Sequence, residues 1–253
     1  MKGVRPVKIP ELLRDDRITF SLEIFPPKKA INKNKLYNIV RELKPLEPDY
    51  ISVTHGAGGK EKDAFTCEIA STIKKWYDIE TMAHLTCVNA GREQIELAID
   101  DLKESGIKNV LALRGDIDPE KGNTGDYEHA NELVSIIKEK GGLNILGACY
   151  PEGHYESPDL ETDIEHLKYK IDAGVEVLIT QLFYDNELRL ASDSEPFACQ
   201  MYFLVKILGI LRIRLGGPIS AELALWEKQI LVQRLELWRE HIEDVLRRGL
   251  NPG

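Results

Sequence analysis

Cysteine is scarce in this chain. There are four in 253 residues, Cys67, Cys87, Cys149 and Cys199, and no two are neighbours. They form no CxxC pair and no Cys/His zinc spacing, so we expect reduced thiols, a cytoplasmic location and no bound metal. Long apolar runs are missing as well. None reaches the roughly 18–20 residues that cross a bilayer, and the stretch from Met1 to Pro6 lacks the apolar core of a signal peptide. Positive charge is in deficit, with a net charge of −9. That argues against nucleic acid as a partner and leaves room for a small anion in a local basic pocket. No repeat or low-complexity tract is visible.

What remains is alternation. Apolar, β-branched runs predict strands at 17–25, 49–54, 81–87, 108–113, 143–149 and 176–183. Helical periodicity predicts helices at about 34–45, 61–77, 91–106, 127–140 and 159–173. In the last of these Leu160, Ile164, Leu167 and Ile171 form one stripe. Alternation of this kind implies a parallel sheet. Six units fill about 185 residues, and the remainder holds two more, which fits a (β/α)8 TIM barrel. The rival doubly wound sheet needs a glycine-rich turn after its first strand. Here that strand runs into Phe25-Pro26-Pro27-Lys28.

Barrel function collects where strands end. Those ends read Glu23; "SVTHGAGG" with Thr54 and His55; "AHLTC" with His84; "ALRGD" with Arg114 and Asp116; "CYPEGH" with Tyr150 and His154; and "ITQLFYD" with Gln181. Each residue also has a plainer reading. Glu23 fits the polar face of a half-buried strand. His84 fits a satisfied core histidine, and Arg114 with Asp116 fits a surface ion pair in a turn. Asp163 and Lys170, seven residues apart, fit a solvated helix face. The functional reading of Glu23 is a carboxyl kept protonated among apolar groups, able to act as an acid near neutral pH.

Taken together, "SLEIFPPK", "ISVTHGAGG", "MAHLTC", "VLALRGD", "ACYPEGH" and "ITQLFYD" resemble the methylenetetrahydrofolate reductase family in order and spacing, from about residue 15 to 187. The resemblance implies a barrel that binds FAD, reduces it with NADH or NADPH, and passes hydride to 5,10-methylenetetrahydrofolate to give 5-methyltetrahydrofolate. It implies that Glu23 is the general acid, that Asp116 lies near flavin and pterin, and that Gln181 binds folate. It places Thr54, His55, Ala57, His84, Arg114, Gly115, Asp116, Ala130, Tyr150, His154, Asp163, His166 and Lys170 against FAD. His129 stands where the family often has tyrosine. Arg114, His154 and Lys170 suit a pyrophosphate.

After Asp185 the resemblance fades. We read residues 1–253 as one flavin-binding barrel domain, with 1–187 family-like and 188–253 divergent. The seventh and eighth units are atypical. A run at 202–215 fits strand or helix, and "AELALWEKQILVQRLELWREHIEDVLRRGL" fits one long C-terminal helix. Its apolar face would suit a homo-oligomer interface. The divergent tail keeps a second reading open: an FAD-binding accessory or inactive relative.

Overall fold

Strands and helices follow one another as the periodicities predict. The computed structural model describes residues 8–12, 19–27, 33–55, 60–150, 152–181 and 201–203. After a one-turn helix α1 (Ile9–Leu12) come β1 (Ser21–Ile24), α2 (Lys33–Leu43), β2 (Tyr50–Val53), α3 (Lys60–Tyr77), β3 (Glu80–Thr86) and α4 (Arg92–Glu104). Then follow β4 (Asn109–Leu113), α5 (Ala130–Lys140), β5 (Asn144–Cys149), α6 (Leu160–Ala173), β6 (Val177–Thr180) and β7 (Met201–Phe203). Local chemistry sets the helix starts. Asp159 accepts the Thr162 N–H at 2.8 Å and caps α6. The Glu132 carboxylate turns back to the N–H groups of Glu128 and His129, at 2.8 and 2.7 Å. That is why α5 starts at Ala130 and not at 127 as the periodicity suggests.

The seven strands form one sheet in the order β1 to β7, and every neighbouring pair is parallel. A doubly wound sheet reverses its strand order at a switch point. No reversal occurs among the described strands, so they make a partial barrel wall. Side chains alternate across it. One face, with Leu22, Ile51, Val53, Ala83, Leu85, Val110 and Ile145, packs against the helices through Val40, Ile69, Ile73, Ile99 and Ile137. The other face carries a smaller core of Tyr50, Met82, Leu111, Leu146, Val177 and Ile179, joined by Ile9. Met82 is fully buried at its centre. Met82→Ala should cost about 2–5 kcal/mol in denaturant unfolding.

Polar layers lie beyond both ends of this inner core. At the N-terminal end the Ile9 amide, a helix-start donor with no partner in its own helix, donates to Asn109 Oδ1 at 3.0 Å. Asn144 Nδ2 donates to the same oxygen at 2.9 Å. Asn109 Nδ2 and Lys74 Nζ both reach Glu80 Oε1, at 3.3 and 2.7 Å. The helix α1 is thereby pinned beneath the sheet.

Two expectations change. Leu160, placed in the α6 stripe, is 46% exposed, because it stands in the first turn, outside the core that buries Leu167. Of the run at 202–215, only the three-residue strand β7, beginning one residue earlier at Met201, is described. The eighth unit and the long C-terminal helix lie outside the described residues, as does Cys199. Cys67, Cys87 and Cys149 are buried and form no disulfide with one another. Among the described residues no helix is long and apolar enough to cross a membrane.

Candidate active site

The C-terminal ends of β2 to β5 surround a cavity of about 840 Å³, within the ~300–1,000 Å³ range of ligand sites. Its lining includes most of the residues singled out above: His55, His84, Arg114, Gly115, Asp116, Ala130, Tyr150, His154, Asp163, His166 and Lys170, with His129 beside them. Thr54 is buried next to His55 but does not line the cavity, and Ala57 lies outside the described residues. Gln181 follows β6, where its N–H donates to the Cys149 carbonyl at 2.8 Å; it too stands apart from the lining.

Glu23 does not face solvent. It is 3% exposed and sits on the inner face, in register with Ser52. His84, from β3, brings Nε2 to 2.7 Å from Ser52 Oγ and 3.7 Å from Glu23 Oε2. His84 is thus the satisfied core histidine of one reading and a cavity residue of the other. Ser52 was not singled out by the sequence. Its signal was there: with Tyr50 and Thr54 it makes the inward row of "YISVT", at the height of Glu23.

The cations behave differently from the expectation. Arg114 does not pair with Asp116. Its fork closes on the Glu156 carboxylate, Nη1 to Oε2 at 2.5 Å and Nη2 to Oε1 at 2.7 Å. Tyr155 donates its hydroxyl to Glu156 Oε1 at 2.8 Å. Burial pushes the His154 pKa below its ordinary value, so this ring is a neutral hydrogen-bonding group at pH 7 and not a counter-charge. Lys170 is largely buried, and its Nζ donates to the Ala148 carbonyl at 3.1 Å. Desolvation lowers its pKa, and the charge of Asp163 opposes that fall.

Asp163 and Lys170 therefore do not lie on a solvated face. Asp163 is buried and accepts the His154 N–H at 3.2 Å and the Ser157 hydroxyl at 3.0 Å, which fixes the loop after β5. Flat rings line that loop. Tyr150 meets His154 edge-on and Tyr155 stacks on it, both at 4.7 Å between centroids. Across the mouth, Asn89 Oδ1 accepts the Thr124 N–H at 2.9 Å, and Asn123 Oδ1 accepts the Asn89 N–H at 3.0 Å. These side-chain bridges join the loops after β3 and β4. Neither asparagine was singled out, although "VNAG" and "GNTG" are turn-rich stretches.

The Glu156 pair gives a measurable signature. Arg114 holds the Glu156 carboxyl at a pKa of about 2, below its ordinary 4.5. A depressed carboxylate contributes stability above pH 4.5 that is lost as pH falls through 2. Arg114 is mostly covered but Glu156 stands open to solvent, which screens the pair and keeps its worth to about 1 kcal/mol or less. Glu156→Gln should flatten this acid limb in melting curves recorded from pH 6 to pH 2.

The site suits a phosphate-bearing aromatic cofactor on its own observations. The cavity is large, its wall carries flat rings and a buried ammonium, and the buried Thr54 Oγ1 beside it has no hydrogen-bond partner among the described residues.

Comparison with known proteins agrees. The family profile described as methylenetetrahydrofolate reductase matches residues 8–210, which extends past residue 187 where the motifs fade. A 5,10-methylenetetrahydrofolate reductase of Pectobacterium carotovorum subsp. carotovorum is 43% identical over 171 residues, covering 68% of this chain and 56% of the relative. A protein of the same name from Escherichia coli is 37% identical over 171 residues, covering 68% and 57%. A probable methylenetetrahydrofolate reductase (NADH) of Oryza sativa subsp. japonica is 38% identical over 200 residues, covering 72% and 33%. The chain thus spans just over half the length of the bacterial relatives it matches.

Among solved structures, an uncharacterized protein from Clostridium thermocellum that binds two copies of 5-methyl-5,6,7,8-tetrahydrofolic acid superposes with a TM-score of 0.53. It is 15% identical, with 91% of this chain and 85% of that one covered. An oxaloacetate acetylhydrolase superposes with a TM-score of 0.54 at 13% identity, with 92% and 97% covered. At such identities the likeness is one of fold. Profile, relatives and the ordered motifs around the cavity lead to one assignment: the chain belongs to the methylenetetrahydrofolate reductase family.

Proposed function

We propose that this chain is a flavin-dependent oxidoreductase that reduces 5,10-methylenetetrahydrofolate to 5-methyltetrahydrofolate, with NADH or NADPH as electron source. The observation that carries the reading is a buried carboxyl, Glu23, on the inner face beside a dinucleotide-sized cavity at the strand ends. FAD, when bound, would supply the hydride chemistry. The chain's own residues do the rest. Lys170 meets negative charge of the cofactor, and His154 and Tyr150 offer hydrogen bonds and ring faces. Thr54, His55, Ala57, His84, Arg114, Gly115, Ala130, Asp163 and His166 complete the cofactor wall. Asp116 lies between cofactor and substrate, and Gln181 binds folate. Glu23 holds the proton that opens the five-membered ring of the substrate.

In this reading residues 1–253 form one barrel domain. Units seven and eight close it in an atypical way, and the long C-terminal helix offers a surface to a second copy. The first test is the visible spectrum of the purified protein before and after anaerobic NADH. The expected result is a flavin spectrum that bleaches and recovers on addition of 5,10-methylenetetrahydrofolate. A colourless protein that also fails to take up added FAD would overturn the proposal.

A further inference from the structure

Glu23 and Ser52 are absent from the cavity lining, whereas His84 is part of it. The three side chains lie side by side on β1, β2 and β3, with 3%, 0% and 8% exposure. The described residues thus place the acid one side chain behind the wall, and the side chain in between is an imidazole. We infer that His84 is the proton relay between the cavity and Glu23. The inference rests on reading Glu23 as an acid that must recover its proton after each turnover.

The geometry suits a relay. A single nitrogen, Nε2, addresses both neighbours, the Ser52 hydroxyl at 2.7 Å and Glu23 Oε2 at 3.7 Å. The Ser52 contact holds the ring in its inward position, from which it turns toward the cavity it also lines. The Glu23 contact is slightly beyond hydrogen-bond reach, and a small turn of the ring closes it. Ser52 and Glu23 also face each other in strand register, so the backbone holds the row at one height.

The step balances. Glu23 gives its O–H proton to a substrate nitrogen and becomes a carboxylate. The Nε2–H bond of the His84 imidazolium then breaks, and the proton bonds to Glu23 Oε2. The ring then turns so that its vacant Nε2 meets the cavity, where hydronium restores the Nε2–H bond and leaves water, and the ring turns back to Ser52. No electron moves. Imidazole suits this task because its ordinary pKa of about 6.5 lets it hold and release a proton near neutrality. His84 acts through Glu23 and is a positioning residue for that proton. It also accounts for how an almost fully buried acid can be recharged without opening the inner core.

The test needs neither flavin nor folate. Infrared spectra of the full chain after a rapid pH drop contain a carboxyl C=O band that is missing in Glu23→Gln. Its growth reports proton arrival at Glu23. In His84→Gln, which keeps hydrogen-bonding capacity but carries no proton, growth should slow by roughly a hundredfold. In His84→Ala, free imidazole should restore the rate. Near-ultraviolet circular dichroism confirms that each variant is folded, and Gln serves if Ala does not fold.

Wild-type growth in His84→Gln, or no response of His84→Ala to imidazole, overturns the relay and leaves the reductase reading intact. A band absent from the wild type overturns both the relay and the acid. A normal relay in a chain that never turns over folate keeps the relay and rejects the reductase.

Discussion

Glu23→Gln slows folate reduction by about 10²–10⁴-fold while bound flavin is still reduced by NADH. The factor is the usual worth of a positioned general acid, about 3–5 kcal/mol of barrier. Gln keeps the shape of the side chain and its hydrogen bonds, so the inner face near Ser52 and His84 remains filled. It has no acidic proton to give. The reductive half-reaction delivers hydride and asks nothing of that proton. Stopped-flow absorbance separates the two halves on one sample, with NADH in the first syringe series and 5,10-methylenetetrahydrofolate in the second. Unaltered reoxidation by folate in the variant would show that Glu23 is not the acid.

Gly115→Ala is expected to destabilise the chain by about 3 kcal/mol, from two causes that add. Gly115 has φ +92°, a conformation that costs a side-chain-bearing residue roughly 1–2 kcal/mol. The added Cβ would also lie 2.6 Å from Val88 Cγ1 and 3.2 Å from Thr86 Cβ. Overpacking of this kind costs about 1–3 kcal/mol, and a β-branched neighbour has little rotamer freedom to yield.

Damage at Gly115 should spread to the cofactor wall. Arg114 Nε donates to the Gly115 carbonyl at 3.1 Å, and Val88 N donates to the Arg114 carbonyl at 2.8 Å. Gly122 makes a control, because its φ of +68° carries the backbone cost while nothing lies within 4 Å of an added Cβ. Gly122→Ala should therefore lose about half as much or less. Thermal melts measure both, at ~2–4 °C per kcal/mol for a chain of this size. Equal losses at the two positions would refute the clash with Val88.

The parallel sheet was legible because each strand is both apolar and bounded. Residues 109–113 differ by a single residue from the expected 108–113, since Gly106 ends the helix before them and "RGD" ends the run after them. Part of the cavity was legible for the same reason: His55, Arg114 and Tyr150 follow their strands immediately in sequence. What stayed hidden depends on pairs of loops. Nothing in "HYESP" announces that Glu156 will close on Arg114, 42 residues earlier. The neutral state of His154 comes from burial, which spacing alone does not report. The His84–Ser52 contact joins two strands whose facing rows become visible only once register is known. Asp163 and Lys170 looked solvated because a helix period marks apolar stripes and is silent on a polar stripe that faces a cavity.

The pinning of α1 beneath the sheet has a consequence for how the chain assembles. Ile9 leaves the ribosome a hundred residues before Asn109, yet its amide partner is the side chain of Asn109, and Asn109 is itself gripped by Asn144. During synthesis this end of the sheet must therefore wait for the hundred residues that separate Ile9 from Asn109. Contacts of such sequence separation form late and slow folding. Until then Ile9, fully buried in the finished protein, is an exposed apolar handle. That interval is when a chaperone would be most useful to this chain. A tag fused ahead of Ile9 would have its effect there, on yield and not on turnover.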